Sequence, residues 1–532
     1  MTLNYPVESE EGHVEYKLKL LSLSEERLEH LATQMNYRLN EKGGEAVYVI
    51  GVSDKGEPVG LSDEELEISL KNLQRIAERI GAKCTVLREA NGKLGKVVEV
   101  LVRRYKQDLP ILVTITTLGQ ANHGKTTTVG VLVTGQLDDG DGLMMMAISR
   151  YKHEILMRRT SSVNEKILGF DVRGNPVNYD LASPLDEASV FLNSSKVVSF
   201  VDIGGHERYL RTAAKGILSH SPDYGMLILA ANAGVKPMTK EHMGIAISFR
   251  IPFFVVVTKV DLVPQEKVAE VVEELEKLLK LPGISKIPFL IRTREDAILA
   301  ARHMPGGKIA PIFTVSNKTG ENVDLVLTFL NLLPPRMNWK VHQREPFLLY
   351  VSEKYNVTGV GLVVAGLVLR GVIRAKDRAY IGPFHDGSYR LVRVKSIQIR
   401  KGIFCEHVAA GTNAAFAIDG VDYDEVEKGM VLLDAKERPY AIRRFKARIF
   451  VLHHPTTIKE GYQSVFHFNA ARVPCKFVKL SKKPLRTGDR ASAVIEALYK
   501  PFYGYVGQRF LFREGRTRGV GVLTEILDGR FS

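Results

Sequence analysis

The chain has 532 residues, too many for one hydrophobic core, and its 45% apolar and 25% charged residues are typical of an ordinary soluble protein. Three widely spaced cysteines exclude a disulfide framework or a cysteine metal site, which favours a reducing, cytoplasmic compartment. The polar, acidic N-terminus is not a signal peptide, and the lack of any run of about 18 apolar residues argues against a membrane span.

The net charge of +14 is concentrated at the C-terminal end. Residues 441–532 contain 18 Lys and Arg against 6 Asp and Glu, whereas 337–440 contain 15 against 12 and 1–336 contain 41 against 42. A focused basic segment favours an acidic partner, most often a nucleic acid, although solubility alone would also account for it.

Residues 1–107 predict a small α+β domain with the element order β-α-β-α-β-β. "VEYKLKLL" and "EAVYVIGVS" are typical of strands, and "EELEISLKNLQRIAERI" has the spacing of an amphipathic helix. Ser22 with Glu25, and Ser62 with Glu65, form two candidate capping boxes. We find no catalytic group of residues in this segment.

Residues 108–336 predict an α/β domain. The apolar runs "ILVTITTL", "KVVSFVDI", "YGMLILAA", "FFVVVTKV" and "APIFTVS" are separated by helical segments, which favours a parallel sheet covered on both faces. The consecutive prolines of "LLPPR" end this unit. Regular short strands then predict two β-barrels, 337–440 and 441–532.

The motif "GQANHGKTTTVG" follows the first apolar run. Its spacing matches GxxxxGK[ST] between a strand and a helix, the pattern of a phosphate-binding loop (P-loop). In this pattern the glycines let backbone amides approach phosphate oxygens, Lys125 supplies positive charge and the Thr126 hydroxyl is a ligand for Mg²⁺. The candidate phosphate-binding residues are Gly119, Gln120, Ala121, Asn122, His123, Gly124, Lys125, Thr126 and Thr127.

A second motif, "VVSFVDIGGHERY", supplies further phosphate contacts. Asp202 stands at the end of its strand and can hold a Mg²⁺-bound water, while the amide of Gly205 can meet the γ-phosphate. Ligands of open α/β sheets bind at this carboxyl edge of the strands.

Two further motifs select the base. In "FFVVVTKVD", Thr258 and Lys259 precede Asp261, which can accept hydrogen bonds from N1–H and the exocyclic amine of guanine, a pair that adenine lacks. In "FTVSNKTGENV", the backbone amides of Ser316 and Asn317 can meet guanine O6. The four motifs in this order predict a GTP site.

These strings resemble the translational GTPases of the elongation factor Tu and elongation factor 1-alpha type. "SRYKHEILMRRTSSVNEKILGFD", "VLHHPTTI" and "LFREGRTRGVG" are most similar to the GTP-binding protein 1 branch of elongation-factor-like GTPases. The resemblance covers about residues 13–530. It implies a multidomain fold, in which a small α+β domain precedes an α/β P-loop G domain and two β-barrels follow.

The resemblance also implies ligands and partners: GTP/GDP and Mg²⁺, the ribosome, and aminoacyl-tRNA or a tRNA-like factor. It implies hydrolysis of GTP stimulated by the ribosome, by a monomer without membrane association. The RNA-decay machinery is a further candidate partner.

Residue roles follow from the same resemblance. His206 is the expected catalytic residue, which orients the attacking water, and Thr160 is the expected second Mg²⁺ ligand and γ-phosphate sensor, although Ser161 and Ser162 offer the same hydroxyl. The candidates for RNA contacts are Arg513, Arg516 and Arg518, with a solvated hairpin face as the alternative.

Three residues depart from the family pattern. Thr258 replaces the usual Asn beside the base, which alters one contact between the base loop and the phosphate loop. Ala121 and Asn122 replace the usual Val and Asp, which puts the monovalent-cation dependence and the intrinsic rate in question.

The sequence therefore predicts a GTP-hydrolysing translation-elongation-type factor. A ribosome-rescue or RNA-surveillance GTPase is the alternative within this class. A GTP-regulated scaffold with little hydrolysis and a metabolic activator on the same fold are alternatives of other classes, and the basic C-terminal segment argues against the metabolic one.

Overall fold

The computed structural model describes residues 14–41, 43–105, 109–149, 151, 154, 163–204, 219–400, 402–515 and 517–531. In chain order these residues form a four-stranded sheet with two helices, a seven-stranded sheet with helices, and two β-barrels. The predicted fold class is thereby confirmed.

The N-terminal unit has the predicted order of elements. These are β1 (Val14–Lys17), α1 (Glu25–Glu41), β2 (Glu45–Ile50), α2 (Asp63–Arg79), β3 (Ala82–Asn91) and β4 (Lys96–Arg104). The sheet order is β1-β2-β4-β3, with β1 parallel to β2 and the other pairs antiparallel.

The caps of the two helices differ in how well the sequence predicts them. The Ser62 hydroxyl accepts the amide of Glu65 at 3.3 Å, so the Ser62 half of the capping box predicted for α2 is confirmed. Helix α1 begins at Glu25, and its first turn is capped by Ser24, whose hydroxyl accepts the amide of Arg27 at 3.2 Å. The cap predicted at Ser22 is wrong, because the chain enters the helix two residues later than the capping-box spacing suggests.

The second unit alternates strands and helices. Its strands are β5 (Ile111–Leu118), β6 (Asn164–Phe170), β7 (Lys196–Asp202), β8 (Tyr224–Ala230), β9 (Phe253–Thr258), β10 (Ile287–Leu290) and β11 (Ile309–Thr314). Its helices are α3 (Lys125–Thr134), α4 (Leu143–Ile148), α5 (Glu187–Asn193), α6 (Pro237–Ser248), α7 (Gln265–Leu279), α8 (Arg294–His303) and α9 (Val323–Leu332).

The sheet order is β10-β11-β9-β8-β5-β7-β6. The five predicted apolar runs form its parallel centre, and two buried clusters cover its two faces. The expectation of a wholly parallel sheet needs one correction, because β6 pairs with β7 in the antiparallel direction. Edge strand β6 begins with three polar residues, and β10 is only four residues long and contains a proline, so both escape the sequence pattern.

A short helix, α10 (Trp339–His342), precedes the first barrel. This barrel unit contains β12 (Leu348–Tyr350), β13 (Glu353–Val357), β14 (Gly361–Arg370), β15 (Val372–Arg374), β16 (Arg378–Gly382), β17 (Arg390–Ile399), β18 (Ile403–Cys405), β19 (His407–Ala409), β20 (Asn413–Asp419) and β21 (Val431–Asp434). Pairing of β12 with both β21 and β14 closes a ring of six strands, β12-β21-β16-β17-β20-β14.

The second barrel is closed in the order β22-β25-β24-β23-β26-β27. Its strands are β22 (Tyr440–His453), β23 (Gln463–Phe468), β24 (Ala471–Leu480), β25 (Arg490–Ala497), β26 (Arg509–Glu514) and β27 (Thr517–Phe531). The interior is aromatic: the Phe445 ring lies 5.7–6.4 Å from the rings of Phe466, Phe468, Phe502 and Phe510, mostly edge-on.

A buried ion cluster joins the N-terminal sheet to the seven-stranded sheet. Glu45 on β2 accepts from Arg103 at 2.8 Å and from Lys196, the first residue of β7, at 2.7 Å. Arg103 also donates to the side chain of Asn331 on α9 at 2.9 Å. Burial raises the pKa of Glu45, but the two cations outweigh it and lower that pKa overall. The cluster fixes the N-terminal unit to the end of β7 opposite Asp202.

Glu165 on the edge strand β6 links the seven-stranded sheet to the first barrel. Its carboxylate pairs with Arg400 and accepts from Asn413 at 3.1 Å. Burial raises the pKa of Glu165, but Arg400, His220 and a hydrogen bond from Ser199 lower it to about 2. The charged form of Glu165 is therefore the form that holds the barrel against β6.

Acid should weaken this contact. The pKa of Glu165 falls from 4.5 to about 2 on folding, so its contribution to stability is present above pH 4.5 and is lost as the pH falls toward 2. We expect Glu165→Gln to cost about 2 kcal/mol at pH 6, a value discounted for partial solvent contact, and progressively less below pH 4. Denaturant unfolding between pH 6 and pH 3 measures this, and a difference that is independent of pH would contradict it.

Candidate functional site

The P-loop lies between the end of β5 and the start of α3, as the motif predicts. Gly119 has φ 123°, and a Cβ atom there would lie 2.1 Å from the carbonyl oxygen of Ile228. Gly124 has φ 84° and precedes the first helical residue. Both positions require glycine, because the backbone is left-handed and at Gly119 a neighbouring strand fills the space of a side chain.

Lys125 is buried at the start of α3, and its ammonium donates to the carbonyl oxygen of Gln120 at 2.8 Å. Burial lowers the pKa of Lys125 to about 8, although the Asp202 carboxylate acts in the opposite direction. A desolvated ammonium held over the loop fits a polyphosphate, whose negative charge would restore the lost solvation.

The rest of the loop is electropositive. The buried His123 accepts the amide of Ala230 at 3.2 Å, and burial together with Lys125, Lys259 and Lys236 lowers its pKa to about 4. The effect of three lysines on one imidazole shows that positive charges converge at the P-loop, which suits an anionic ligand.

The other predicted phosphate-loop residues frame this centre. Ala121 and Thr127 are half-buried, and the exposed Asn122 adopts a left-handed backbone with φ 64°. The carbonyl oxygen of Asn122 accepts from the Lys259 ammonium at 3.1 Å, which ties the phosphate loop to the loop after β9.

Asp202, at the end of β7, lies directly beside the P-loop helix. Its Oδ2 accepts from the Thr126 hydroxyl at 2.6 Å, and its Oδ1 accepts from Thr117 at 2.7 Å. Burial raises the pKa of Asp202, and the nearby Glu154 acts in the same direction. A buried carboxylate that contacts the Thr126 hydroxyl offers oxygen donors that fit Mg²⁺ with Thr126 as a ligand. A bound Mg²⁺ would neutralise charge on the phosphate oxygens.

The base side of the site is formed by the loops after β9 and β11. Thr258, the last residue of β9, donates from its hydroxyl to the carbonyl oxygen of His123 at 2.8 Å. Asp261 accepts from the hydroxyl of Ser316 at 2.7 Å, so its carboxylate is oriented by the following loop. Asn317 comes next in that loop and is buried, with its carbonyl oxygen bonded to the amide of Asp138 at 2.9 Å.

Two side chains of the site are not among the residues predicted from the sequence. His242 on α6 is fully buried and accepts the amide of Gly119 at 2.7 Å, and burial together with Lys125 lowers its pKa to about 3. His242 is therefore a neutral acceptor that holds the first P-loop glycine. Thr117 fixes one oxygen of Asp202 from the adjacent strand. A polar residue inside an apolar strand or helix is the sequence signal that could have indicated both His242 and Thr117.

Several predicted residues lie outside the described part of the chain: Thr160, Gly205, His206 and Arg516. Arg513 is half-buried on β26 and stands opposite Arg518 on β27. Arg518 forms an ion pair with Glu241 on α6, so this end of the hairpin faces the seven-stranded unit in the structure. Leu511 is buried there against Phe249.

Comparisons with known proteins agree with this geometry. Residues 111–336 match the elongation factor Tu GTP binding domain, and residues 438–527 match the elongation factor Tu C-terminal domain. The chain is 41% identical to mouse GTP-binding protein 2 over 98% of its length and 88% of that protein. It is 40% identical to Xenopus laevis GTP-binding protein 1 over 96% of its length and 78% of that protein.

Solved structures with the same fold include a selenocysteine-specific elongation factor and a translation elongation factor. The bacterial factor EF-Sec aligns with a TM-score of 0.56 and 20% identity, over 79% of this chain and 59% of its own. SelB from Methanococcus maripaludis, in complex with the GTP analogue GppNHp, aligns with a TM-score of 0.55 and 19% identity, over 79% and 80%. At this identity the likeness concerns the fold.

The fold and the site together define a GTP-binding protein of the translational GTPase class. Within that class, the chain belongs to the family of GTP-binding proteins 1 and 2, as its identity over nearly the full length shows. Among the residues that the structure describes, none of the helices combines the length and the apolar character needed to cross a bilayer.

Proposed function

We propose that this protein is a cytoplasmic, monomeric translation factor that hydrolyses GTP on the ribosome and delivers or surveys aminoacyl-tRNA or a tRNA-like ligand. The observation that carries the proposal is the nucleotide site itself, with Lys125, Asp202 and Asp261 converging at one sheet edge ahead of two barrels. We propose the units 1–107, 108–336, 337–440 and 441–532 as its domains.

In this proposal, Lys125 and the P-loop amides bind the phosphates, and Thr126 with Asp202 holds the Mg²⁺ site. Thr160 would respond to the γ-phosphate as a further Mg²⁺ ligand, the amide of Gly205 would meet the same phosphate, and His206 would orient the attacking water.

The RNA part of the proposal rests on charge at the seam between the second barrel and the seven-stranded unit. The pKa of Arg509, the first residue of β26, is lowered by partial burial and by the nearby Arg250 and Arg336. Arg250 follows α6 and Arg336 follows α9, so cations of two units converge at this seam. Phosphate groups of an RNA backbone would relieve their mutual repulsion.

The arginine hairpin adds to this surface. Arg513, Arg516 and Arg518 stay candidates for RNA contacts, but Arg518 must leave Glu241 to reach a phosphate. We therefore expect RNA affinity to depend on the bound nucleotide, because a contact of Thr160 with the γ-phosphate and Mg²⁺ would change how the second barrel and α6 meet.

We expect tRNA binding with a non-hydrolysable GTP analogue to weaken steeply with salt, with a log–log slope of at least about 3. Replacing Arg250, Arg336 and Arg509 with Gln should lower that slope by up to about 3, because each lost phosphate contact removes one counterion release. Binding titrations with tRNA and aminoacyl-tRNA at several salt concentrations, in both nucleotide states, measure this.

The matched control replaces Lys267, Lys277 and Lys280 with Gln. These lysines lie on or next to α7 and pair with glutamates of that helix, so the net charge changes equally without touching the seam. Salt-insensitive binding, or equal affinity with GDP and the GTP analogue, would refute the RNA proposal and favour the GTP-regulated scaffold.

A further inference from the structure

Thr258 cannot donate a hydrogen bond to both the phosphate loop and a base. Its hydroxyl carries one hydrogen, and the acceptors within reach are the carbonyl oxygens of His123 at 2.8 Å and Leu229 at 3.4 Å. A hydroxyl whose hydrogen is already donated retains only lone pairs for a ligand. The Asn that is usual at this position has two amide hydrogens and could serve both partners.

Asn317 supplies a second amide at the same place. Its Nδ2 lies 2.9 Å from the hydroxyl oxygen of Thr128, and that hydroxyl donates its hydrogen to the carbonyl oxygen of Gly124 at 2.8 Å. Thr128 must therefore accept from Asn317, which fixes the orientation of the amide. One of the two Nδ2 hydrogens is used in this way.

The remaining polar capacity of Asn317 is buried. The residue is 8% exposed, and its Oδ1 has no hydrogen-bond partner among the described residues. A Cβ atom built on Gly124 would lie 3.3 Å from the Thr258 hydroxyl and 3.7 Å from Nδ2 of Asn317, so both side chains flank the same P-loop glycine. Oδ1 can only accept and therefore does not serve the acceptor edge of a base, whereas the second Nδ2 hydrogen is a donor beside the P-loop glycine that a ligand acceptor can take.

Ser316, the residue before Asn317, positions the carboxylate that would bind the other edge of guanine. Ser316 orients Asp261, whose carboxylate suits the N1–H and amine donors of guanine, and Asn317 is the next residue of the same loop. Guanine also presents an acceptor edge, formed by N7 and O6. The side-chain amide of Asn317 can donate to that edge. Of its two Nδ2 hydrogens, one is bonded to Thr128 and the other is left for the base.

We propose that Thr258 and Asn317 divide the role of a single asparagine, such that Thr258 ties the base loop to the phosphate loop while Asn317 donates to the acceptor edge of guanine. This inference rests on the proposed binding of GTP. It assigns to the Asn317 side chain a specificity role beyond the backbone contact expected from the motif.

The test measures binding of fluorescent GDP and GTP to the full chain. Asn317→Ala should weaken both nucleotides equally, by about tenfold, which is the size of one lost buried hydrogen bond. Adding Thr258→Asn to this variant should restore affinity to within about threefold, because the usual amide returns. Asn317→Asp keeps the shape and removes the donor, and should bind at least as weakly as Asn317→Ala.

Base analogues report on the contact without altering the fold. The wild type should bind 7-deaza-GDP, which lacks N7, or 6-thio-GDP, whose sulfur is a weaker acceptor than O6, less tightly than GDP. Asn317→Ala and Asn317→Asp should lose that discrimination. Asn322→Gly is the matched control, because Asn322 lies in the same loop and donates to the Thr314 carbonyl at 2.9 Å.

The outcomes separate the two levels of the proposal. A wild type that fails to bind guanine nucleotides refutes the proposed function itself. The role of Asn317 alone is overturned if the wild type binds GDP and the Asn317 variants bind it equally well. The same holds if those variants still discriminate between GDP and both analogues as the wild type does. Thermal unfolding of each variant shows whether it is folded. If Asn317→Ala does not fold, Asn317→Asp provides the test.

Discussion

Asp261→Asn should weaken GTP binding by about a hundredfold or more, because two hydrogen bonds to a charged carboxylate contribute about 1.5–3 kcal/mol each. The same substitution should improve binding of xanthosine triphosphate, whose C2 carbonyl replaces the amine of guanine. An asparagine amide donates to that carbonyl, whereas the carboxylate repels it. The Ser316 hydroxyl, 2.7 Å from Asp261 in the wild type, can keep the new side chain in place.

Competition binding with GTP, ATP and xanthosine triphosphate measures this change of specificity. Asp324→Asn is the matched control. Asp324 is an exposed carboxylate in the first turn of α9, and its substitution removes the same charge. Equal GTP affinity in Asp261→Asn and the wild type would show that the base lies elsewhere.

The phosphate and base motifs could be predicted because their chemistry is local. From Gly119 to Thr126, the glycines lie in the loop after β5 and the lysine and hydroxyl in the first turn of α3, so spacing alone places them. Asp202, Thr258 and Ser316 stand at or just beyond strand ends, and parallel strands bring such residues to one edge. The continuous apolar runs indicate those strands directly.

Contacts between distant segments could not be predicted in this way. The bond from Gly119 to His242 joins residues that spacing does not relate, and His242 resembles an ordinary core histidine of α6 in the sequence. The ion pair of Arg518 with Glu241 likewise depends on how the second barrel packs against the seven-stranded unit. The positions of Thr258 and Asn317 around Gly124 depend on three loops that are distant in the sequence, and the missing Asn at 258 indicates only that one contact is altered.

Edge strands mark a second limit. Strand β6 turns Leu168 and Phe170 toward the core shared with α3, and its other face, with Glu165 and Ile167, toward α5 and the first barrel. The strand begins with polar residues, so its apolar run is short. Glu165 bonds across units to the first barrel, whereas Asn164 donates to the carbonyl oxygen of Ile148 at 2.6 Å within its own unit, and both polar contacts hide the start of the strand from the hydrophobic pattern.

His206→Ala should lower ribosome-stimulated GTP hydrolysis by about a hundredfold or more while GTP affinity stays within a few-fold. The expectation rests on the resemblance, which assigns His206 to the attacking water, and on its place four residues after Asp202 in "DIGGHERY". Phosphoryl transfer depends on positioning, so a group that acts only in the transition state affects turnover and not binding. Single-turnover hydrolysis with and without ribosomes measures both effects. His303→Ala, an exposed histidine at the end of α8, is the control. If His206→Ala responds to ribosomes as the wild type does, another group orients the water, and the basic seam rather than the histidine becomes the point at which the ribosome acts.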